Sequence, residues 1–91
     1  MKGAADVPAK VAEAAVEIYE WLGQLEGIIS ASMISYLRVG RLMAAAAARG
    51  ALENVSINLD GITDAGYVAA MKQKAAALES RLVGSPIEAE K

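Results

Sequence analysis

Apolar residues near the start of the chain recur with the period of an α-helix. The steps are three and four, through Val11, Ala14, Ile18, Trp21 or Leu22, and Leu25. Glutamates occupy the opposite face, at Glu13, Glu17 and Glu20. Asp6 followed by Pro8 is typical of a helix start, because the carboxylate can accept from free N–H groups and proline is tolerated in the first turn. The pattern predicts an amphipathic helix over residues 7–22 with an acidic outer face.

The next run, residues 27–49, is apolar over most of its circumference, which indicates a second helix that is buried on more than one side. Gly50 follows this run and is expected to end the helix in a left-handed conformation. Gly23 and Gly27 lie at the junction with the first helix, where each glycine weakens a helix by about 0.8–1 kcal/mol relative to alanine. The sequence leaves open whether the two helices are continuous or separated by a bend.

The hydrophobic period then changes to two. Polar residues alternate with apolar ones through Asn54, Val55, Ser56, Ile57, Asn58, Leu59 and Asp60. Strict alternation is the pattern of a strand, so we expect a short extended segment over residues 54–60. The segment is either a connector that lays its aliphatic side chains on the helices or an edge that pairs with another copy. We favour the connector, because connections between helices are often extended without pairing.

A third helix is predicted over residues 63–83, capped by Thr63 or Asp60 and ended by the stop signal Gly84-Ser85-Pro86. The tail over residues 85–91 has no packing pattern. One short extended segment among three helical runs indicates an all-α fold, a helical hairpin or small bundle. We expect a single helical domain over residues 1–91.

Small residues spaced four apart form a ridge on the second predicted helix, which would let another helix approach closely. Alanine accounts for 20 of the 91 residues, there is no phenylalanine, and so short a chain buries only about 60–65% of its unfolded surface. Such a chain gains stability by burying its helices against other copies. We therefore predict self-association through the ridge and through an apolar seam of the third helix. The predicted interface comprises Gly23, Gly27, Ala31, Ser35, Gly40, Ala44, Ala48, Val68, Met71, Ala75, Leu78 and Leu82.

Charge is unevenly distributed along the chain, although the net charge is only −2. The second predicted helix carries Arg38, Arg41 and Arg49 and no acid, whereas the first is purely acidic beyond Lys10. We favour pairing between these two helices, within or between chains. The alternative is a basic stripe that binds a polyanion, either nucleic acid or lipid head groups. A metal or acid/base site on the glutamate stripe is a further alternative, but this spacing is more typical of a solvated face.

No catalytic pattern is present, so we do not expect an enzyme, a cofactor or a metal site. The chain has no histidine and no cysteine, which removes the commonest general base and the thiolate nucleophile. A membrane span would have Arg38 and Arg41 at its centre, at a cost of about 2.5–3.5 kcal/mol each, and we do not expect one. Lys2 is not followed by an apolar stretch, so we expect no secretory signal and favour a cytoplasmic or particle-assembled protein, without defining its compartment.

The sequence therefore predicts a structural, self-associating helical subunit that forms a homo-oligomer or filament. Two alternatives remain open at this point. One is a small accessory or adaptor subunit that docks on a larger partner. The other is a coat-like protein that encloses nucleic acid behind its arginine stripe.

Overall fold

A computed structural model describes residues 2–82, and within this range the chain is all-α. A short 3-10 turn at Lys2–Ala5 leads into helix α1, Asp6–Leu25. A second 3-10 turn at Ala31–Met33 precedes helix α2, Ile34–Leu59, and helix α3 spans Ala65–Ser80. The predicted all-α class is confirmed. The predicted tail over residues 85–91 lies outside the described residues.

Helices α1 and α2 form an antiparallel hairpin. The backbone from 26 to 33 is not α-helical, so the two helices are separate, and α2 begins at Ile34 instead of near residue 27. Ser30 adopts an extended backbone, with φ −68° and ψ 154°, immediately before the chain turns into α2. Alanine-rich faces meet along the hairpin, where the absence of large side chains permits close approach of the two backbones.

The prediction of an extended segment over residues 54–60 was wrong, because α2 continues through Leu59. Val55 and Leu59 are four residues apart, so a helix places both on one face, where they are buried against Ala5 and Ala9. Ile57 falls on another face and is exposed. A strand would have put all three aliphatic side chains together, but the tertiary contact needs only two of them. Gly50, the predicted helix end, accordingly lies inside α2.

Helix α3 packs along one side of the hairpin. Near its start, Val68 and Met71 lie against the cluster formed by Ala5, Ala9, Val55 and Leu59. Near its end, Leu78 and Leu82 join the larger cluster around Val16, Tyr19 and Ala48. The Tyr19 hydroxyl is buried and donates a hydrogen bond to the Leu82 carbonyl oxygen at 3.4 Å. Helix α3 is therefore antiparallel to α2 and parallel to α1.

The N-terminus of α3 is capped by Asp64 and not by Thr63 or Asp60 as predicted. Asp64 has an extended backbone, and its carboxylate accepts a hydrogen bond from the Tyr67 N–H at 3.0 Å. This geometry satisfies one of the free N–H groups in the first turn.

Candidate association surface and arginine pocket

Helix α1 has two apolar faces, and the sequence-based interpretation assigned the wrong one to the core. The buried face consists of Ala9, Ala12, Ala15, Val16 and Tyr19. The stripe predicted to pack inward is exposed instead, with Trp21 exposed by 71% and Ile18 by 53%. The alanine face was selected because α2 can approach it closely, and because Tyr19 supplies a large buried ring with a hydrogen-bond partner for its hydroxyl.

A similar exposed stripe runs along α2, at steps of three and four. Tyr36 is exposed by 72% and Met43 by 68%, and the small or polar residues Ala47, Gly50 and Asn54 continue the stripe. A cavity of about 310 Å³ between Val7, Pro8 and Val11 of α1 and Ala51, Asn54 and Asn58 of α2 shows that the two stripes adjoin.

We call these two stripes together the open face. Its members are Val7, Val11, Ala14, Ile18, Trp21, Leu25, Tyr36, Val39, Met43, Ala47, Gly50 and Asn54. None of these residues carries a charge, and all are exposed. Helix α3 does not cover this face, because α3 pairs with the glutamate side of α1. An uncharged face with this many large apolar side chains is typical of a surface that binds another protein.

The glutamate stripe of α1 meets α3 and not the arginines of α2, contrary to the predicted pairing. Lys74 lies 3.0 Å from Glu13, and Arg81 contacts Glu20 through both Nε at 3.0 Å and Nη2 at 2.5 Å. The hydrogen bond from Arg81 holds the pKa of Glu20 below its usual value. Both pairs are partly exposed to solvent, so each contributes modestly to stability.

The three arginines proposed to bind a polyanion all have partners within the described chain. Arg38 donates to Glu26 at 3.0 Å, and Arg49 lies 3.6 Å from Glu79 of α3. Arg41 donates from Nε to the Tyr19 carbonyl oxygen at 3.0 Å, and its guanidinium lies over the Tyr19 ring, 4.0 Å from the centroid. Arg38 and Arg49 each face a glutamate, whereas Arg41 faces a carbonyl oxygen and an aromatic ring. Binding of a polyanion by these arginines stays a prediction.

Arg41 lies at a polar pocket where α1, α2 and the end of α3 meet. The pocket has a volume of about 480 Å³ and is lined by Tyr19, Glu20, Gly23, Gln24, Arg41 and Arg81. A Cβ added to Gly23 would lie 2.7 Å from Arg41 Nη2. Glycine at this position therefore lets the guanidinium lie directly against the backbone of α1.

Most residues of the predicted self-association interface are used inside the chain. Ala44, Ala48, Leu78 and Leu82 are buried in its own core, and Val68, Met71 and Ala75 are half-buried against it. Gly40 lies beside Leu22, and Gly23 beneath Arg41. Gly27, Ala31 and Ser35 are exposed near the hairpin turn. A role of these residues in association stays a prediction.

Sequence reasoning did not identify the open face as a surface. One signal could have revealed it, since Ala5, Ala9, Ala12, Val16 and Tyr19 also recur at steps of three and four. A helix with two such series has two apolar faces, and contact with one neighbouring helix buries only one of them.

Within residues 2–82, no group of three acidic, histidine or cysteine side chains is placed to hold a metal ion. None of the helices described in this range is both long enough and apolar enough to span a bilayer.

The fold and its surfaces define a small antiparallel helical hairpin, covered on one side by a third helix and open on the other. The family model described as Formiminotransferase-cyclodeaminase matches residues 1–77. The chain therefore belongs to the formiminotransferase-cyclodeaminase family, which is a family of enzymes. No curated protein and no solved structure matches the chain.

Proposed function

We propose that this chain is a self-associating helical subunit within the formiminotransferase-cyclodeaminase family, and that a second copy of the chain covers its open face. The observation that carries the proposal is the exposure of Trp21, Tyr36 and Met43 on one uncharged surface. Aromatic residues and methionine are enriched in protein interfaces, whereas charged residues are depleted from interface centres. The role proposed for the chain is thus assembly, and no catalytic step is assigned to it.

The size of the open face suits a pair of chains. Helix α1 has 20 residues and therefore spans about 30 Å. Two helices packed side by side are about 20 Å wide, so the face projects on the order of 600 Å². A specific interface of standard size buries about 800 Å² on each partner, and side chains add surface to the projected area.

The two ends of the open face differ in a way that favours pairing with a second copy. The hairpin-turn end carries the bulky side chains of Trp21, Leu25 and Tyr36, while the opposite end holds the cavity between Val7, Val11 and Asn54. A two-fold axis through the middle of the face places the bulky end of each copy on the cavity of the other. In such an isologous contact the cavity of each copy receives Trp21 of the other copy, so the same contact is made twice.

Sedimentation equilibrium over a concentration series tests this proposal directly. We expect the wild-type chain to have twice its 9.4 kDa mass at high concentration and to dissociate on dilution. Trp21→Glu places a charge where Trp21 enters the partner's cavity and should raise the dissociation constant of the dimer at least tenfold. Gln73→Glu adds the same charge on exposed α3 and is the matched control.

The helix content of each variant, measured by circular dichroism, separates loss of association from loss of folding. A wild-type chain that stays at 9.4 kDa at every concentration would overturn self-association and leave the open face to a different partner. A dimer that survives Trp21→Glu unchanged would show that the copies meet elsewhere.

A further inference from the structure

The arginine pocket contains a guanidinium that forms no ion pair with a carboxylate among the described residues, since Glu20 in the same pocket pairs with Arg81. Arg41 uses Nε for the Tyr19 carbonyl oxygen and its face for the Tyr19 ring. Arg38 and Arg81, by contrast, each donate to a glutamate. An arginine side chain has five N–H donors, so Arg41 retains donors for a further acceptor.

Three contacts constrain the Arg41 guanidinium, which favours binding because less side-chain freedom is lost when a ligand binds. The guanidinium donates to the Tyr19 carbonyl oxygen, lies over the Tyr19 ring and packs closely against the backbone of Gly23. A planar guanidinium held in one orientation presents its N–H groups as a fork that matches a carboxylate. Gln24 also lines the pocket and carries an amide donor.

The charge of the pocket favours a ligand with a single negative charge. Arg41 and Arg81 contribute two positive charges and Glu20 one negative charge, so the lining residues sum to +1. Glu13 and Glu17 lie close enough to act electrostatically on Arg81, which further disfavours a doubly charged anion. A carboxylate fits this balance better than a phosphate does.

We propose that this pocket binds the carboxylate group of a small molecule, with Arg41 as the principal donor and Gln24 as a second donor. Arg41 and Arg81 lie on the side of the hairpin that α3 covers, whereas Gln24 also borders Trp21 and Leu25 of the open face. Binding of a small carboxylate is a function beyond the proposed association.

The test is a titration of the full chain with sodium acetate at neutral pH and constant ionic strength, followed by ¹⁵N NMR of the arginine Nε–H groups and the Gly23 amide. We expect saturable shifts at Arg41 and Gly23, with a dissociation constant on the order of millimolar because acetate has few atoms with which to bind. A parallel titration with inorganic phosphate should give weaker binding. Tighter binding of phosphate would overturn the assignment to carboxylates.

Gly23→Ala is the decisive variant. Alanine favours the helix, so the fold should be retained, but the new Cβ must displace the guanidinium from its seat. We expect acetate affinity to fall at least tenfold in Gly23→Ala and in Arg41→Gln, and to be unchanged in the control Arg38→Gln. Absence of a saturable shift in the wild-type chain, or undiminished binding in Gly23→Ala, would overturn the proposal.

Discussion

Single side chains join elements of this protein that are far apart in the sequence. The Tyr67 hydroxyl donates to Asp6 Oδ1 at 2.5 Å and thereby links the start of α3 to the start of α1. Arg81 makes the equivalent link to Glu20 at the other end of α3. The first contact needs the proton of the Tyr67 hydroxyl, and the second needs the ionised carboxylate of Glu20. The contribution of each contact to stability therefore changes with pH.

Replacing Tyr67 by phenylalanine should remove a pH dependence of stability at alkaline pH. The hydrogen bond to Asp6 raises the pKa of Tyr67 to about 12 from 10.0 in its ordinary state. The unfolded chain therefore loses the phenolic proton first, and the stabilisation is complete below pH 10 and lost as the pH rises towards 12. We expect the difference in free energy of unfolding between wild type and Tyr67→Phe to shrink over this range, as measured by urea denaturation. A difference that does not change with pH would show that the bond contributes nothing.

At the scale of elements, the continuity of α2 determines the shape of the molecule. The helix has 26 residues and crosses both Gly50 and the alternating segment after it. Gly50 lies in open space, with no atom within 4 Å of an added Cβ. Gly50 therefore destabilises α2 only through the conformational entropy that a glycine loses on folding, because no packing contact depends on it.

Gly50→Ala should accordingly stabilise the protein by about 0.5–1 kcal/mol. Gly61→Ala is the matched control, since this position also has open space around its Cβ but lies beyond the end of α2. Chemical denaturation of both variants in the Trp21→Glu background excludes any contribution from association. An equal effect at the two positions would contradict the account of α2 as one continuous helix.

At the scale of the whole molecule, stability depends on how α3 covers one side of the hairpin. The core consists mainly of alanine, whose burial contributes little per residue. A few larger side chains therefore carry much of the apolar burial, among them Tyr19, Leu78 and Leu82. The opposite side of the hairpin has no such cover within the described chain, which is why we propose that a second copy supplies it.

Leu78→Ala should be among the most destabilising substitutions in α3. Leu78 is only 4% exposed and joins the core cluster of both other helices. Truncation of a buried leucine to alanine costs about 2–5 kcal/mol, which in so small a domain is a large part of the total. Ile57→Ala, at a side chain that is 64% exposed, should change stability by less than about 1 kcal/mol. Thermal denaturation of both variants measures the contrast, and similar losses would mean that α3 does not pack as described.

The sequence by itself determined the all-α class, a helix that begins near residue 7 and the acidic stripe of α1, because these depend on local propensity and on the spacing of residues within one helix. The predicted cap by Asp6 was wrong, since the N-cap of α1 is Ala5, without a side-chain hydrogen bond. Only the tertiary structure decided which apolar face of α1 is buried, since both faces satisfy the same period. It also decided that residues 54–59 stay helical, because Val55 and Leu59 find Ala5 and Ala9 across the hairpin. Tertiary structure also decided that Glu13 and Glu20 pair with α3 and that Arg41 packs against Gly23, because these contacts join distant parts of the chain. The hydrophobic periodicity of the sequence predicts which residues share a face of a helix. Which other helix packs against that face depends on how closely the two helices can approach each other.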